Sequence, residues 1–230
     1  MAQKRVSRSR KRDLEQPDRF TNFTHNLLQF ATKHKVYLST ALGLIITFSI
    51  AIAGWLYFAN RAEDKALALL AKSQNKYQTI IKNSSPDQAY LDVADDFKLI
   101  MQKYPGKMGG KLAQFIFANI CYQAGYYDQA IELYNQSLSD FGDNPFIKNL
   151  ILSSLGYAHE AQKEYKPAAK YFEMLVSAPD YSMKDEALFN LAQIYAGTGN
   201  YDRRLNALKK IISDYKDSIY FQIAKESIPG

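Results

Sequence analysis

Side chains able to carry out covalent or metal chemistry are few in this 230-residue sequence, and their spacing keeps them apart. A helical zinc site needs two histidines about one turn apart, whereas His25, His34 and His159 never approach that interval. Cys121 is the only cysteine, which excludes an intrachain disulfide and any paired-cysteine metal site. Set between Ile120 and Tyr122, it reads as a packing residue with an inert thiol. Gly106 and Gly109-Gly110 follow Pro105 without the Lys-Ser/Thr ending or the preceding strand of a phosphate-binding loop, so they read as a connection. Asp95-Asp96 and Asp185-Glu186 are adjacent pairs whose members diverge on a helix, as solvated faces do. The expectation is a chain that is not an enzyme, with no catalytic residue, metal or cofactor.

The elements around these residues have two distinct characters. Before Val36, nine Lys and Arg face three acidic residues, and this excess equals the +6 formal charge of the whole chain. Lys4, Arg5, Arg8, Arg10, Lys11 and Arg12 form a block that attracts polyanions. No aromatic stands between them for stacking on bases and no recognition module accompanies them, so no specific nucleic acid is expected. Anionic lipid is the expected contact, because each basic residue near a charged bilayer gains about 1 kcal/mol. Phe20, Phe23, Leu27, Phe30 and Ala31 then follow helical spacing suited to the membrane interface. Residues 1–35 are read as a basic cytosolic arm with an amphipathic lead-in.

From Val36 to Asn60 there is no charged side chain. About 20 apolar residues cross a bilayer as a helix, and Tyr37 at one end with Trp55, Tyr57 and Phe58 at the other suit the two interfaces. A core helix of a soluble domain seldom runs this far without charge. A cleaved signal peptide would have a shorter apolar stretch and small residues where Trp55-Leu56-Tyr57-Phe58 stand. Residues 36–60 are therefore read as a retained transmembrane signal-anchor. A short basic arm stays inside and a long following domain crosses regardless of its charge. That puts the arm in the cytoplasm and the rest outside, in the periplasm of a bacterium, with the inner membrane as its location. Ser39, Gly43, Thr47 and Ala51 recur every four residues and form a small-residue face on which a second membrane helix could pack.

Past Asn60 the pattern becomes pairs of helices, and three segments repeat. The first holds Phe117-Ala118, Gly125-Tyr126-Tyr127, Ala130-Ile131, Tyr134 and Leu138; the second Leu155-Gly156, Glu164-Tyr165, Ala168, Phe172 and Leu175; the third Leu191-Ala192, Tyr195, Gly199-Asn200-Tyr201, Leu208 and Ile212. Tyr127, Tyr165 and Tyr201 are 38 and 36 residues apart. Small residues at Ala118, Gly156 and Ala192 let helices approach closely. Gly125 and Gly199 supply left-handed helix stops. Pro105, Pro145 and Pro179 fall where second helices should end. Upstream, Ala62 to Lys82 and Asp87 to Lys103 read as another pair, with Ser85 capping and Pro86 opening its second helix. Downstream, Asp217 to Ser227 reads as a solvating end helix.

These residues resemble the tetratricopeptide repeat family between Ala113 and Ile212, with Lys163 in the place of a turn glycine and Arg204 in the place of the second-helix alanine. The resemblance implies an all-α fold: one transmembrane helix followed by a tetratricopeptide-like α-solenoid over residues 61–230. It also implies a concave face built from first helices, whose groove positions are Phe115, Asn119, Tyr122, Ser153, Tyr157, Glu160, Phe189 and Gln193. Phe115 before Asn119, where a clamp for carboxylate termini needs a cation, points instead to an extended or unfolded polypeptide.

The layout as a whole is similar to that of the inner-membrane-anchored ancillary subunit of the bacterial Sec translocon, through its lead-in, its Gly54-Trp55 pair and its irregular repeats. This implies a scaffold or chaperone-like accessory near emerging polypeptides. Tyr104-Pro105-Gly106 also resembles repeat ends in outer-membrane assembly and Tol-associated proteins, which leaves open a cell-envelope organiser acting in division or outer-membrane assembly. A cytosol-facing adaptor would need the inverted topology. All of these take protein partners.

Overall fold

The computed structural model describes residues 19–179 and 181–228, and every regular element among them is an α-helix. The chain divides into two compact units, Met1–Ala59 and Asn60–Gly230.

In the first unit, α1 (Arg19–Lys33) is followed, after the single residue His34, by the start of α2 (Lys35–Ile80). Backbone bonds from His34 N to Phe30 O (3.0 Å) and from Leu38 N to His34 O (2.9 Å) carry the helical pattern across that residue. Phe23, Leu27, Leu28 and Phe30 are all exposed on α1. So is every residue from Val36 to Ala53 on α2. The hydroxyls of Ser39, Thr40, Thr47 and Ser49 donate to backbone carbonyls three or four residues back, at 2.8–2.9 Å. Their polar groups are thus satisfied inside the helix and need no water.

The second unit begins with a departure from expectation. Ala62 to Lys82 is not a separate helix; α2 continues unbroken to Ile80, because neither Gly nor Pro interrupts 55–80. The apolar pattern changes instead. Ala66, Leu70, Ser73 and Tyr77, spaced by four, three and four, form a buried stripe among exposed neighbours. Next come α3 (Pro86–Lys103), α4 (Met108–Gln123), α5 (Tyr127–Phe141), α6 (Pro145–Ala161), α7 (Tyr165–Ser177), α8 (Lys184–Gly197), α9 (Tyr201–Asp214) and the short α10 (Phe221–Glu226). From α3 onward each helix packs against the next, and the first helices α4 and α6 also touch each other.

Local chemistry sets the helix starts. Ser85 Oγ accepts from Gln88 N (3.3 Å) with Pro86 at the first helical position, and Asn144 Oδ1 accepts from Ile147 N (3.1 Å) ahead of Pro145. Pro145 therefore opens α6 as well as following the end of α5. At α4 the residue before the helix, Lys107, has no side-chain cap, and a distant residue substitutes. The Glu63 carboxylate accepts from Met108 N (2.9 Å) and Gly109 N (2.8 Å), satisfying two orphan donors at the positive end of the helix. Gly109 permits this approach, since a Cβ there would lie 2.7 Å from the Ala66 backbone.

The three helix-pair turns share one geometry. Gly125 and Gly199 have φ of 85° and 72°, and Lys163 adopts 62° in the equivalent turn. The left-handed stop is thus conserved in shape where the glycine is not, at a cost of about 1 kcal/mol for the non-glycine residue. The small residue of α6 is also explained by contact: a Cβ on Gly156 would come within 2.8 Å of the Phe172 ring.

Buried side chains form two clusters. One runs from Leu70 and Tyr77 through Phe97 and Phe117 to Tyr134 and Leu155; the other from Leu152 and Phe172 through Leu191 to Ile211 and Ala224. The chain end differs from the expected Asp217–Ser227 helix. Only Phe221–Glu226 is helical, and the preceding turn is a packing element: Ser218 Oγ donates to Asp185 (2.5 Å) and Tyr220 stacks on Phe189 at 4.6 Å.

Candidate functional site

The expected groove residues all lie on the first helices α4, α6 and α8, but they divide by what their side chains do. Phe115 is half-buried and its ring lies 6.0 Å from that of Tyr134. Asn119 Oδ1 accepts from the Tyr134 hydroxyl at 2.6 Å. Tyr157 donates to Glu186, accepts from Asn190 Nδ2 (2.8 Å) and meets Phe172 edge-on. Phe189 is covered by Tyr220. These four side chains join neighbouring helices.

Gln193 is exposed, while Tyr122, Ser153 and Glu160 are half-buried, the Tyr122 ring lying 5.6 Å from that of Tyr127. Burial, then the neighbouring Tyr127 and Glu160, push the Tyr122 hydroxyl up from its ordinary value. Burial also raises the Glu160 carboxyl above the usual carboxylate range, and no described residue forms an ion pair with it. A cation brought alongside would favour its charged form.

The largest apolar exposure on these helices begins one to two turns earlier than the expected groove. Phe146 and Leu150 precede Ser153 and Tyr157 at spacings of four, three and four, so the four share one face of α6. Phe146 is 74% exposed, Leu150 43%, and Met108 and Met183 each 49%. Together with Tyr181 they line an open groove of about 710 Å³ where α4, α6 and α8 begin. Asp140 at its edge is paired with Lys111 at 3.0 Å, while Asp143 has no ion pair among the described residues. Methionine side chains suit a surface that accepts varied shapes. The spacing from Phe146 to Tyr157 was readable from the sequence; the exposure of Phe146 followed only once Pro145 was seen to open the helix.

The small-residue positions Ser39, Gly43, Thr47 and Ala51 are exposed on α2. Lys4, Arg5, Arg8, Arg10, Lys11 and Arg12 lie outside the described residues.

The described residues contain no group of three or more His, Cys, Asp or Glu placed to hold a metal ion. Cys121 is fully buried, and burial pushes its thiol up to about 12, which leaves it protonated and unreactive at neutral pH.

The fold belongs to the tetratricopeptide-like class of helical repeats. The tetratricopeptide repeat profile matches residues 186–218, from the first turn of α8 to just past α9. Among solved structures, a tetratricopeptide repeat protein from Parabacteroides merdae ATCC 43184 aligns with a TM-score of 0.57 and 17% identity, over 72% of this chain and 58% of that one. The apo form of RapI aligns with a TM-score of 0.58 and 18% identity, over 72% of this chain and 46% of that one. The chain thus spans about half the length of these two proteins. No curated protein matches the sequence.

Proposed function

We propose that this chain is a single-pass membrane protein whose repeat domain docks polypeptide, as a scaffold or chaperone-like accessory subunit of the bacterial secretion machinery. Residues 36–60 cross the inner membrane, the arm of residues 1–35 stays in the cytoplasm against anionic lipid, and residues 61–230 work in the periplasm. The observation that carries the membrane reading is exposure. Leu42, Leu44, Ile45, Ile46, Phe48, Ile50 and Ile52 are all 41% exposed or more. Leaving these seven in water would cost on the order of 10 kcal/mol, comparable with the stability of an entire domain. A core helix of a soluble fold would have hidden them. Ser39, Gly43, Thr47 and Ala51 offer the face for a partner membrane helix.

Docking rests on the first-helix face. Phe146 and Leu150 provide an apolar anchor, Tyr122 aromatic contact backed by the packed Tyr157, and the unpaired Glu160 and Asp143 a preference for clients with Lys or Arg beside an apolar residue. Phe115, Asn119, Phe189, Ser153 and Gln193 frame this surface.

The test is photo-crosslinking from position 150 in the full chain in native membranes. Translocon subunits and polypeptides in transit are the expected products, and Phe146→Asp should remove them. Recovery of division or Tol components without translocon subunits would contradict the secretion assignment and favour the cell-envelope organiser. Protease added to spheroplasts should digest the repeat domain; protection until lysis would contradict the topology.

A further inference from the structure

A second cleft shares no lining residue with the groove at Phe146 and Leu150. About 770 Å³ in volume and open to solvent, it lies between the second helix α7, the ends of the first helices α6 and α8, and the start of α9. Its floor is apolar and aromatic: Ala169 and Ile194 are buried, and Tyr195 is 8% exposed. Tyr171 forms a wall, held in place by the His159 ring stacked on it at 5.5 Å. Lys166 and Lys170, one helical turn apart on α7, stand exposed at the rim.

The charges around this cleft do not cancel. Glu173, the only carboxylate among the described residues that line it, accepts from the Tyr195 hydroxyl (2.5 Å) and faces Arg203 (3.5 Å), whose guanidinium also lies 5.7 Å from the Tyr195 ring centre. Glu173 and Arg203 therefore neutralise each other. Lys166 and Lys170 have no ion pair among the described residues. Two uncompensated positive charges thus flank an aromatic floor.

We infer that this cleft binds an extended acidic peptide segment, with carboxylates on Lys166 and Lys170 and an intervening apolar side chain on Tyr195 and Ile194. The volume lies within the range of natural ligand clefts. Phosphate groups are poorly served here. Helix N-termini bind phosphate through backbone N–H groups, and Pro167 removes one from the first turn of α7. Tyrosines and a shallow apolar floor suit peptide. This surface is separate from the groove at Phe146 and Leu150, and its occupancy does not depend on the function proposed above.

The test uses the full chain in nanodiscs of zwitterionic lipid, with a fluorescein-labelled peptide of alternating glutamate and leucine as the probe. The expected result is saturable binding that falls about tenfold in the Lys166→Glu/Lys170→Glu variant, as loss and reversal of close charge pairs produces. Lys166→Gln/Lys170→Gln should give a smaller loss, and Phe146→Asp none. Both lysine variants alter exposed side chains, and an unchanged thermal midpoint checks that they fold. Equal binding of an alternating lysine-leucine peptide, or full affinity in the charge-reversed variant, would overturn the inference. So would displacement of the probe by phosphatidylglycerol vesicles through the same two lysines, which would reassign the cleft to lipid.

Discussion

The two halves of α2 share one backbone and differ in almost everything else. From Val36 to Ala53 every residue is exposed and none is charged. After Asn60, charged residues alternate with a narrow buried stripe at Ala66, Leu70, Ser73 and Tyr77. Helical hydrogen bonding is the same throughout, so it cannot set the environment; side-chain distribution does. An all-round apolar helix calls for an apolar solvent, and a striped one calls for a partner surface. The second half finds that surface in Glu63 capping α4, Ala66 against Gly109, and Tyr77 donating to Gln123 Oε1 at 2.5 Å.

Substitutions can break this contrast. Leu70→Ala should destabilise the repeat domain by about 3 kcal/mol, the usual cost of a cavity at a fully packed leucine, whereas Leu44→Ala should leave its thermal midpoint unchanged; equal effects would erase the distinction. Ile46→Arg should cost about 3 kcal/mol of membrane insertion, read as loss of the chain from the membrane fraction, with the repeat helices intact by circular dichroism. Glu63→Ala removes the carboxylate from two N–H groups of α4 and should lower stability by about 1 kcal/mol in urea unfolding. Tyr77→Phe has the smallest expected effect, somewhat under about 1 kcal/mol, because it deletes one partly buried hydrogen bond and leaves the ring packed.

How far the sequence disclosed this structure depends on the range of each signal. Local signals were legible: Ser85 and Pro86 opening a helix, Gly125 and Gly199 ending one, and the absence of charge from Val36 to Asn60. Their physics involves residues a few positions apart. Lys163 shows a limit, since its left-handed turn was recoverable only from the repeat register around it. The end of α2 shows another. The change of composition at Asn60 predicts a separate helix from Ala62, yet a change of composition does not interrupt helical hydrogen bonds. Long-range relations were illegible. Nothing near Met108 announces that Glu63 caps its helix, and nothing near Phe189 announces Tyr220. The docking positions suffered most, because exposure is set by neighbours distant in sequence: Phe115 and Phe189 turned to packing, while Phe146 and Leu150 were left open.

The proposed membrane function depends on where Val36 to Ala53 resides. Alkaline carbonate extraction of native membranes containing the full chain addresses that directly. The chain should stay in the pellet with integral proteins, because on the order of 10 kcal/mol of apolar exposure holds it there. Release of the intact chain into the supernatant would contradict the membrane anchor and with it the proposed docking function.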